Sequence, residues 1–455
     1  MKLLIVSQYF YPEQFGVNDI SSKLVALGHE VTVLTGLPNY PMGEIYEGYS
    51  NDELVKDIYT GGFLSEINGV KVYRCKLAPR KNGKLNLAIN YLSFAFQGSL
   101  LANNIIKSAK IKGEIPFDRV LVTQYSPVTM AIPAILIKKK LKIPFILYCF
   151  DLWPESIVSV GLKNHGLLYN IIKIISQQIY RQTDKIIISS RNFEKYFNNK
   201  LKVFKKMVYL PMYAEDIFTA NISESNPVEN SSSPTCNIVF AGNIGKMQSV
   251  DTIIMACSEL NSNYPGTSSA NPTPPIIFHI IGDGSALKEC IEQARELGVL
   301  LDGTTQNTLK QNDFSSTISG VVFHGRHPLE EMPEFYNMAD AMLITLKNDD
   351  IISYTLPNKV QTYMAAGKPI LAAINGEAAV VINEANCGSV CAAEDYHTFA
   401  KNILLFSNSL VPQQDFNPIP AAKTDFSDWS KNSRDYYEKH FSSDNFIKKL
   451  LQILE

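Results

Sequence analysis

The 455-residue sequence lacks most of the features that would settle its class at once. It has no run of about 18 apolar residues, so no helix is expected to span a membrane. The opening run Met1–Val6 is short for a signal peptide and leads straight into polar residues. Its seven cysteines (Cys75, Cys149, Cys236, Cys257, Cys290, Cys387 and Cys391) include no CxxC pair. An odd, scattered set fits reduced thiols in a cytosolic protein and argues against a disulfide framework. The seven histidines stand apart from cysteines and carboxylates, so no metal site is expected. The dinucleotide fingerprint GxGxxG and the P-loop are both missing. The nearest approach, Gly242-Asn-Ile-Gly-Lys246, has Met247 where a P-loop needs Ser or Thr.

What is present is globular: 45% hydrophobic and 19% charged residues, at a length that suggests two or three domains. The net charge of −2 hides an imbalance. Residues 1–210 hold 27 Lys and Arg against 15 Asp and Glu, and the remainder holds 15 against 29. A basic first half attracts an anionic membrane, a nucleic acid or a phosphorylated substrate.

The apolar pattern alternates short strands with helices. Strands are expected at Lys2–Val6, Val31–Thr35, Val70–Cys75, Asp118–Thr123, Pro144–Phe150 and Lys185–Ser189. Leu85–Lys110 reads first as a core-facing helix, with a helix lying on a membrane surface as the alternative. Asp151, Trp153 and Glu155 follow a strand, where a doubly wound sheet places ligands. The first domain is expected to close near residue 211. Polar Asn/Ser/Pro-rich stretches at 221–235, 261–275 and 302–318 read as inserted loops. Between and after them the rhythm restarts, and 427–455 reads as helix. This predicts an α/β fold of two doubly wound halves.

Within the second half, two strands end in glycine turns, Gly242-Asn-Ile-Gly-Lys246 and Gly282-Asp-Gly284. The stretch Thr355–Ile370 predicts a helix with Asn358 as N-cap, Gly367 just past its end and Pro369 blocking continuation. Alone, each glycine loop reads more readily as a tight βα turn, and the 355–370 stretch equally as an ordinary αβ unit. Together they set glycine amides, Lys246 and a helix N-terminus at successive strand ends, a pattern suited to a nucleotide diphosphate.

The ordered set resembles the retaining glycosyltransferases of family 4. It comprises Phe240–Lys246, Ile281–Gly284, Phe323–Arg326, Met332-Pro333, Leu356–Lys359 and Tyr363–Pro369. In the first half Gln8–Glu13, Gly28–Thr35, Pro38–Pro41 and Asp151–Ser156 are similar to the bacterial O-antigen and capsule branch, which includes L-fucosamine transferases. The resemblance implies a GT-B fold, with an acceptor-side Rossmann-like domain at 1–211 and a donor-side one at 212–426. Between them lies a cleft, and the helix at about 427–455 returns onto the first domain. It implies a nucleotide-sugar donor, by family habit UDP-linked, with N-acetyl-L-fucosamine as a candidate sugar. It further implies a polyprenyl-diphosphate-linked saccharide acceptor, an anionic membrane surface at the cytoplasmic face, no nucleic acid, and neither metal nor other cofactor.

Carried over by position, Lys246 neutralises the departing diphosphate. Gly16, Gly242, Asn243, Gly245, Gly282, Asp283, Gly284, Arg326, Pro357, Asn358, Lys359 and Thr362 fall on the donor side. Asp151, Trp153 and Glu155 fall on the acceptor side, with a general-base role for Asp151 as the sharper version. The chain departs from the family at the paired glutamates, where it has Tyr354 and Thr362, and at a frequent arginine, where it has Asn243. A nucleotide-sugar 2-epimerase of the same fold and a non-catalytic sugar-nucleotide binder are the alternatives.

Overall fold

Short, fully buried apolar runs joined by crossover helices build two largely parallel sheets. The computed structural model describes residues 1–50, 54–81, 83–159, 166–220, 235–264, 274–301, 319–410 and 426–455. Apart from a few marginal residues, the three inserted loops lie outside the described residues. The chain divides into two units, Met1–Pro211 with Phe446–Glu455, and Met212–Asn445.

The first unit opens with β1 (Lys2–Val6), α1 (Val17–Ala26), β2 (Glu30–Gly36), β3 (Phe63–Ile67), β4 (Val70–Cys75) and the long α2 (Lys84–Ile111). It continues with β5 (Arg119–Gln124), α3 (Ile132–Leu141), β6 (Phe145–Cys149), α4 (Leu167–Gln182), β7 (Lys185–Ile188) and β8 (Met207–Tyr209). The strand order is β3-β4-β2-β1-β5-β6-β7-β8. All neighbours pair parallel except β3 with β4. The antiparallel edge strand β3 was not anticipated from the sequence. After β1 the winding goes first to one side and then to the other, so the β1/β5 junction is the switch point where ligands collect.

The second unit contains β9 (Cys236–Ala241), α5 (Val250–Asn263), β10 (Ile276–Ile281), α6 (Leu287–Glu296), β11 (Ser319–Gly325), α7 (Met332–Met338) and β12 (Ala341–Thr345). It goes on with α8 (Asn358–Ala365), β13 (Ile370–Ala373), α9 (Glu377–Ala385), β14 (Gly388–Cys391), α10 (Tyr396–Ser409) and α11 (Trp429–His440). Its sheet is wholly parallel in the order β11-β10-β9-β12-β13-β14, with the switch point at β9/β12. Among the described residues no helix is long and apolar enough to cross a membrane.

The terminal segment corrects the expectation of one helix returning onto the first domain. It breaks after α11, and α12 (Ser443–Leu454) follows. α11 buries Trp429, Ser433 and Tyr437, one face at i, i+4 and i+8. That face packs on the second unit: the Ser433 hydroxyl donates to the Lys368 carbonyl and Arg434 to the Ala365 carbonyl. Only from Phe446 does the chain join the first unit. There Phe446 stacks on Tyr148, and Lys185 donates to the Ile453 carbonyl at 2.6 Å.

Candidate functional site

The glycine turns of the second unit are locked to each other by their backbones. The Ile244 amide donates to the Asp283 carbonyl at 2.8 Å, and the Ala286 amide to the Ile244 carbonyl at 2.9 Å. Gly242 donates to Ile281, and Gly282 to Gly325 at 2.7 Å. Gly282 has φ +141°, and a Cβ there would lie 1.8 Å from the Gly242 carbonyl oxygen. Only glycine meets both demands. Gly284 is held as closely: a Cβ would lie 2.5 Å from the Ile244 carbonyl, and its amide donates to the exposed Asp283 carboxylate.

This double turn stands at the β9/β12 switch point. The Lys347 amide donates to the Met247 carbonyl and the Thr345 hydroxyl to the Gln248 carbonyl, which ties the β12 end to the β9 loop. Two lysines there have different fates. Lys347 is bound to Asp251 at 2.7 Å and Glu394 at 2.9 Å. Lys246 is exposed on the loop and has no ion partner among the described residues. An open hollow of about 770 Å³ begins at Gly245 and Lys246 and runs along α6, where Glu289, Glu292 and Glu296 line it.

The α8 segment brings a third cation. The helix starts at Asn358, with Pro357 in the capping position and no side-chain cap, so Asn358 is the first helical residue and not the N-cap. Its end follows expectation. Gly367, at φ +62°, donates to Met364 and Lys368 donates to Tyr363, a Schellman closure. The Tyr363 hydroxyl joins the Ala241 amide and carbonyl, which fixes α8 against the end of β9. Lys359 consequently lies behind the glycine loop. Its ammonium donates to Gln248 Oε1 at 2.8 Å and sits 3.7 Å from the centroid of the Phe240 ring. A Cβ on Gly242 would meet Lys359 Cε at 2.7 Å. Burial of the ammonium lowers the Lys359 pKa to about 7, although part of the residue still meets solvent. Thr362 is buried, and its hydroxyl donates to the Asn358 carbonyl within the helix. Arg326 and Asn243 are exposed.

The first unit gathers other residues at its own switch point. Gly16, with φ −56°, precedes α1 in a conformation open to any residue. The Val17 amide donates to the Tyr125 hydroxyl beyond β5. Asp151 follows β6 and accepts from the Ser156 hydroxyl. Burial raises its pKa to about 6 against hydrogen bonds from Ser156, Ser126, Trp153 and the Leu152 amide. Trp153 is buried and donates its indole N–H to Ser126, so it braces the loop and offers no open ring face. The Glu155 carboxylate accepts from the Tyr169 hydroxyl at 2.8 Å and the Tyr196 hydroxyl at 3.3 Å.

Sequence reasoning missed a buried polar network in this unit. Glu13 accepts from the amides of Asn39, Tyr40 and Phe10. Burial raises its pKa. Arg74 is also buried; its guanidinium donates to the Gly36 and Tyr11 carbonyls and lies over the Tyr49 ring. Gln8 donates to Asn90, while Gln8 Oε1 and Arg74 Nε have no hydrogen-bond partner among the described residues. The only advance signal was Arg74 within an otherwise apolar strand end.

Two protein families match the chain in tandem. The family described as "Glycosyl transferase 4-like domain" matches residues 15–212, and "Glycosyl transferases group 1" matches 235–408. The chain is 23% identical over 341 residues to a probable glycosyltransferase, WbjE, of Pseudomonas aeruginosa, covering 72% of this chain and 74% of that one. It is 21% identical over 382 residues to a putative colanic acid biosynthesis glycosyl transferase, WcaI, of Escherichia coli (strain K12), covering 81% and 82%. Among solved structures, Anabaena Alr3699/HepE in complex with UDP superposes with a TM-score of 0.60 at 10% identity, covering 100% of this chain and 99% of that one. The fold is therefore GT-B.

Proposed function

The chain belongs to the family 4 glycosyltransferases, and from that premise we propose that it transfers a sugar from a nucleotide-diphosphate donor to a lipid-linked saccharide in surface polysaccharide synthesis. The observation that carries this reading is the locked double glycine turn at the second switch point, with Lys246 exposed on it and Lys359 behind it. Amides at a strand-to-helix turn and unpaired cations recognise phosphate oxygens. Charge on the departing diphosphate grows in the transition state, so Lys246 acts there as the stabilising cation. A UDP-linked donor is favoured by the UDP complex of the HepE structure, and a polysaccharide pathway by the colanic acid relative. N-acetyl-L-fucosamine is one candidate sugar.

Transfer proceeds with retention, the leaving phosphate assisting deprotonation of the acceptor, and needs no metal. The donor side comprises Gly242, Asn243, Gly245, Lys246, Gly282, Asp283, Gly284, Arg326 and the Pro357–Thr362 turn, with Gly16 contributed by the first unit. Thr362 replaces a family glutamate, and its hydroxyl, already donated to Asn358, can still accept from a ribose hydroxyl. Asp151 belongs to the acceptor side, with Trp153 and Glu155 supporting its loop. The basic first half favours work at the anionic cytoplasmic face of the membrane.

The test is a thermal-shift screen against UDP- and GDP-sugars, followed by incubation of the stabilising donor with a polyprenyl-diphosphate saccharide. A folded-state ligand raises Tm. Product formation only with acceptor supports transfer. Conversion of the donor alone would identify an epimerase, and binding without turnover a sugar-nucleotide binder.

A further inference from the structure

Two helices of the first unit expose apolar rows that its core does not use. α2 buries Tyr91, Phe94, Leu101 and Ile105. On its other side Leu85, Ile89, Leu92, Phe96 and Leu100 are exposed, Leu92 by 61% and Phe96 by 62%. Their spacing of four, three, four and four residues sets them in one line along the N-terminal part of the helix. α4 repeats the arrangement with Leu167, Leu168, Ile171, Ile174 and Ile175, all exposed. α3 and the turn at Val128–Ala131 before it touch both helices, so the two rows flank one shared element. Crossover helices run back against their strands, so both N-terminal parts lie toward the carboxyl edge of the sheet.

Charge on these helices has one sign. α2, α3 and α4 carry no Asp or Glu; of their eight lysines and arginines, Lys84 and Lys173 lie in the N-terminal parts that bear the apolar rows, and the other six lie toward the C-terminal ends, where Lys138 pairs with Asp184. A soluble surface scatters large apolar side chains singly, and contiguous rows mark an interaction site. A second copy of this chain is a poor partner, because a two-fold contact would set this acid-free face against itself. An anionic bilayer satisfies both features: apolar side chains enter the acyl boundary while lysines meet headgroup phosphates.

We propose that the α2/α4 face is the surface by which the chain sits on an anionic bilayer, with Leu92, Phe96, Ile171 and Ile174 entering the interface. This names the surface for the membrane-side reaction proposed above and rests on that reading for its purpose.

The test is flotation of the full chain with phosphatidylcholine vesicles, with and without about 30% phosphatidylglycerol, at low and high salt. The wild-type chain is expected to float with the anionic vesicles, less so at high salt. The double variant Phe96→Asp with Ile171→Asp is expected to lose at least about tenfold in binding. It should keep its Tm and its UDP-induced thermal shift, since both positions are exposed. Phe96→Trp should retain binding. The proposal is overturned by a double variant that floats like wild type, or by a wild type that stays unbound at low salt. It is also overturned by sedimentation showing a dimer that Phe96→Asp dissociates, which makes a second copy the occupant. Absence of any UDP shift in the wild type sinks the donor reading and leaves the flotation result standing by itself.

Discussion

The two units share an architecture and differ in where they place polarity. Of the large hydrophobic side chains left exposed among the described residues, nineteen lie in the first unit and eight in the second. The first unit is basic and the second acidic. At its switch point the first unit buries side-chain polarity, as in Glu13 with three backbone amides and Arg74 with two carbonyls. The second instead offers backbone, in two glycine turns pressed together, with lysines around them. The difference suggests a division of labour. A compact diphosphate is well met by amides and point charges, whereas a large amphipathic acceptor needs surface.

The largest effect is expected from removing the cation of the glycine turn. Lys246→Ala is expected to lower kcat about 10²–10³-fold, the scale of one lost transition-state donor. Tm should hold, because Lys246 is exposed. Lys347→Ala is the contrast. Its ammonium is already neutralised by Asp251 and Glu394, and a partly exposed pair costs about 1 kcal/mol or less when broken. Equal kinetic losses in the two variants would dissolve the distinction between a structural lysine and a reactive one.

Next in size is a pair of glycine substitutions. Gly282→Ala combines φ +141° with a Cβ 1.8 Å from the Gly242 oxygen. It should cost about 2–4 kcal/mol by urea denaturation and abolish the UDP shift. Gly28→Ala in the first unit has φ +83° but open space around it, so about 1 kcal/mol is expected, from backbone strain alone. A mild Gly282→Ala would show that the two loops are not locked.

A third effect is proton linkage at Lys359. Its pKa of about 7 in the folded protein lies well below the ordinary lysine value, because burial penalises the charge. From about pH 7 upward to the unfolded pKa the unfolded chain therefore binds more protons, and this group makes the fold gain stability as pH rises. A bound diphosphate favours the charged lysine, so UDP affinity should fall up to about tenfold per pH unit above 7. Calorimetry in buffers of different ionisation heat should register proton uptake. Lys359→Met should flatten the profile; a persistent slope would assign the proton elsewhere.

Legibility from sequence followed the range of the interactions. The end of α8 was readable because its Gly367 and Pro369 signals are local. The glycine turns were readable as βα turns, but their mutual locking depends on two strands 40 residues apart in sequence and left no local trace. The same holds for Lys359. Its position in the chain suggested a phosphate contact, but its depressed pKa comes from burial of the ammonium behind the glycine loop, which only the fold delivers. Trp153 was placed with Asp151 and Glu155 at a strand's carboxyl end, where ligands bind, and its burial against Ser126 became visible only in the fold. Leu85–Lys110 read first as a core-facing helix, and the exposed row Leu85, Ile89, Leu92, Phe96 and Leu100 became visible only in the fold, because helical periodicity cannot say which side a neighbouring helix will cover.

The smallest expected effect separates the two versions of Asp151. Its carboxyl, raised to about 6 by burial, is half protonated at pH 6. A step that needs the carboxylate should therefore run at about half its plateau rate there and fall further below. A raised carboxyl pKa also means that the folded state holds the proton more tightly than the unfolded chain. The charge weighs against folding as pH rises through the interval up to about 6, so Asp151→Asn should keep or raise Tm at pH 7. If Asp151 is the acceptor-side base, that variant loses both turnover and the acid limb. If it serves only to hold Ser156 and the loop, turnover survives and the limb is absent from the wild type as well. An acid limb that persists unchanged in Asp151→Asn would move the titrating group to another residue, with the buried Glu13 the next to substitute, since burial raises its pKa in the same unit.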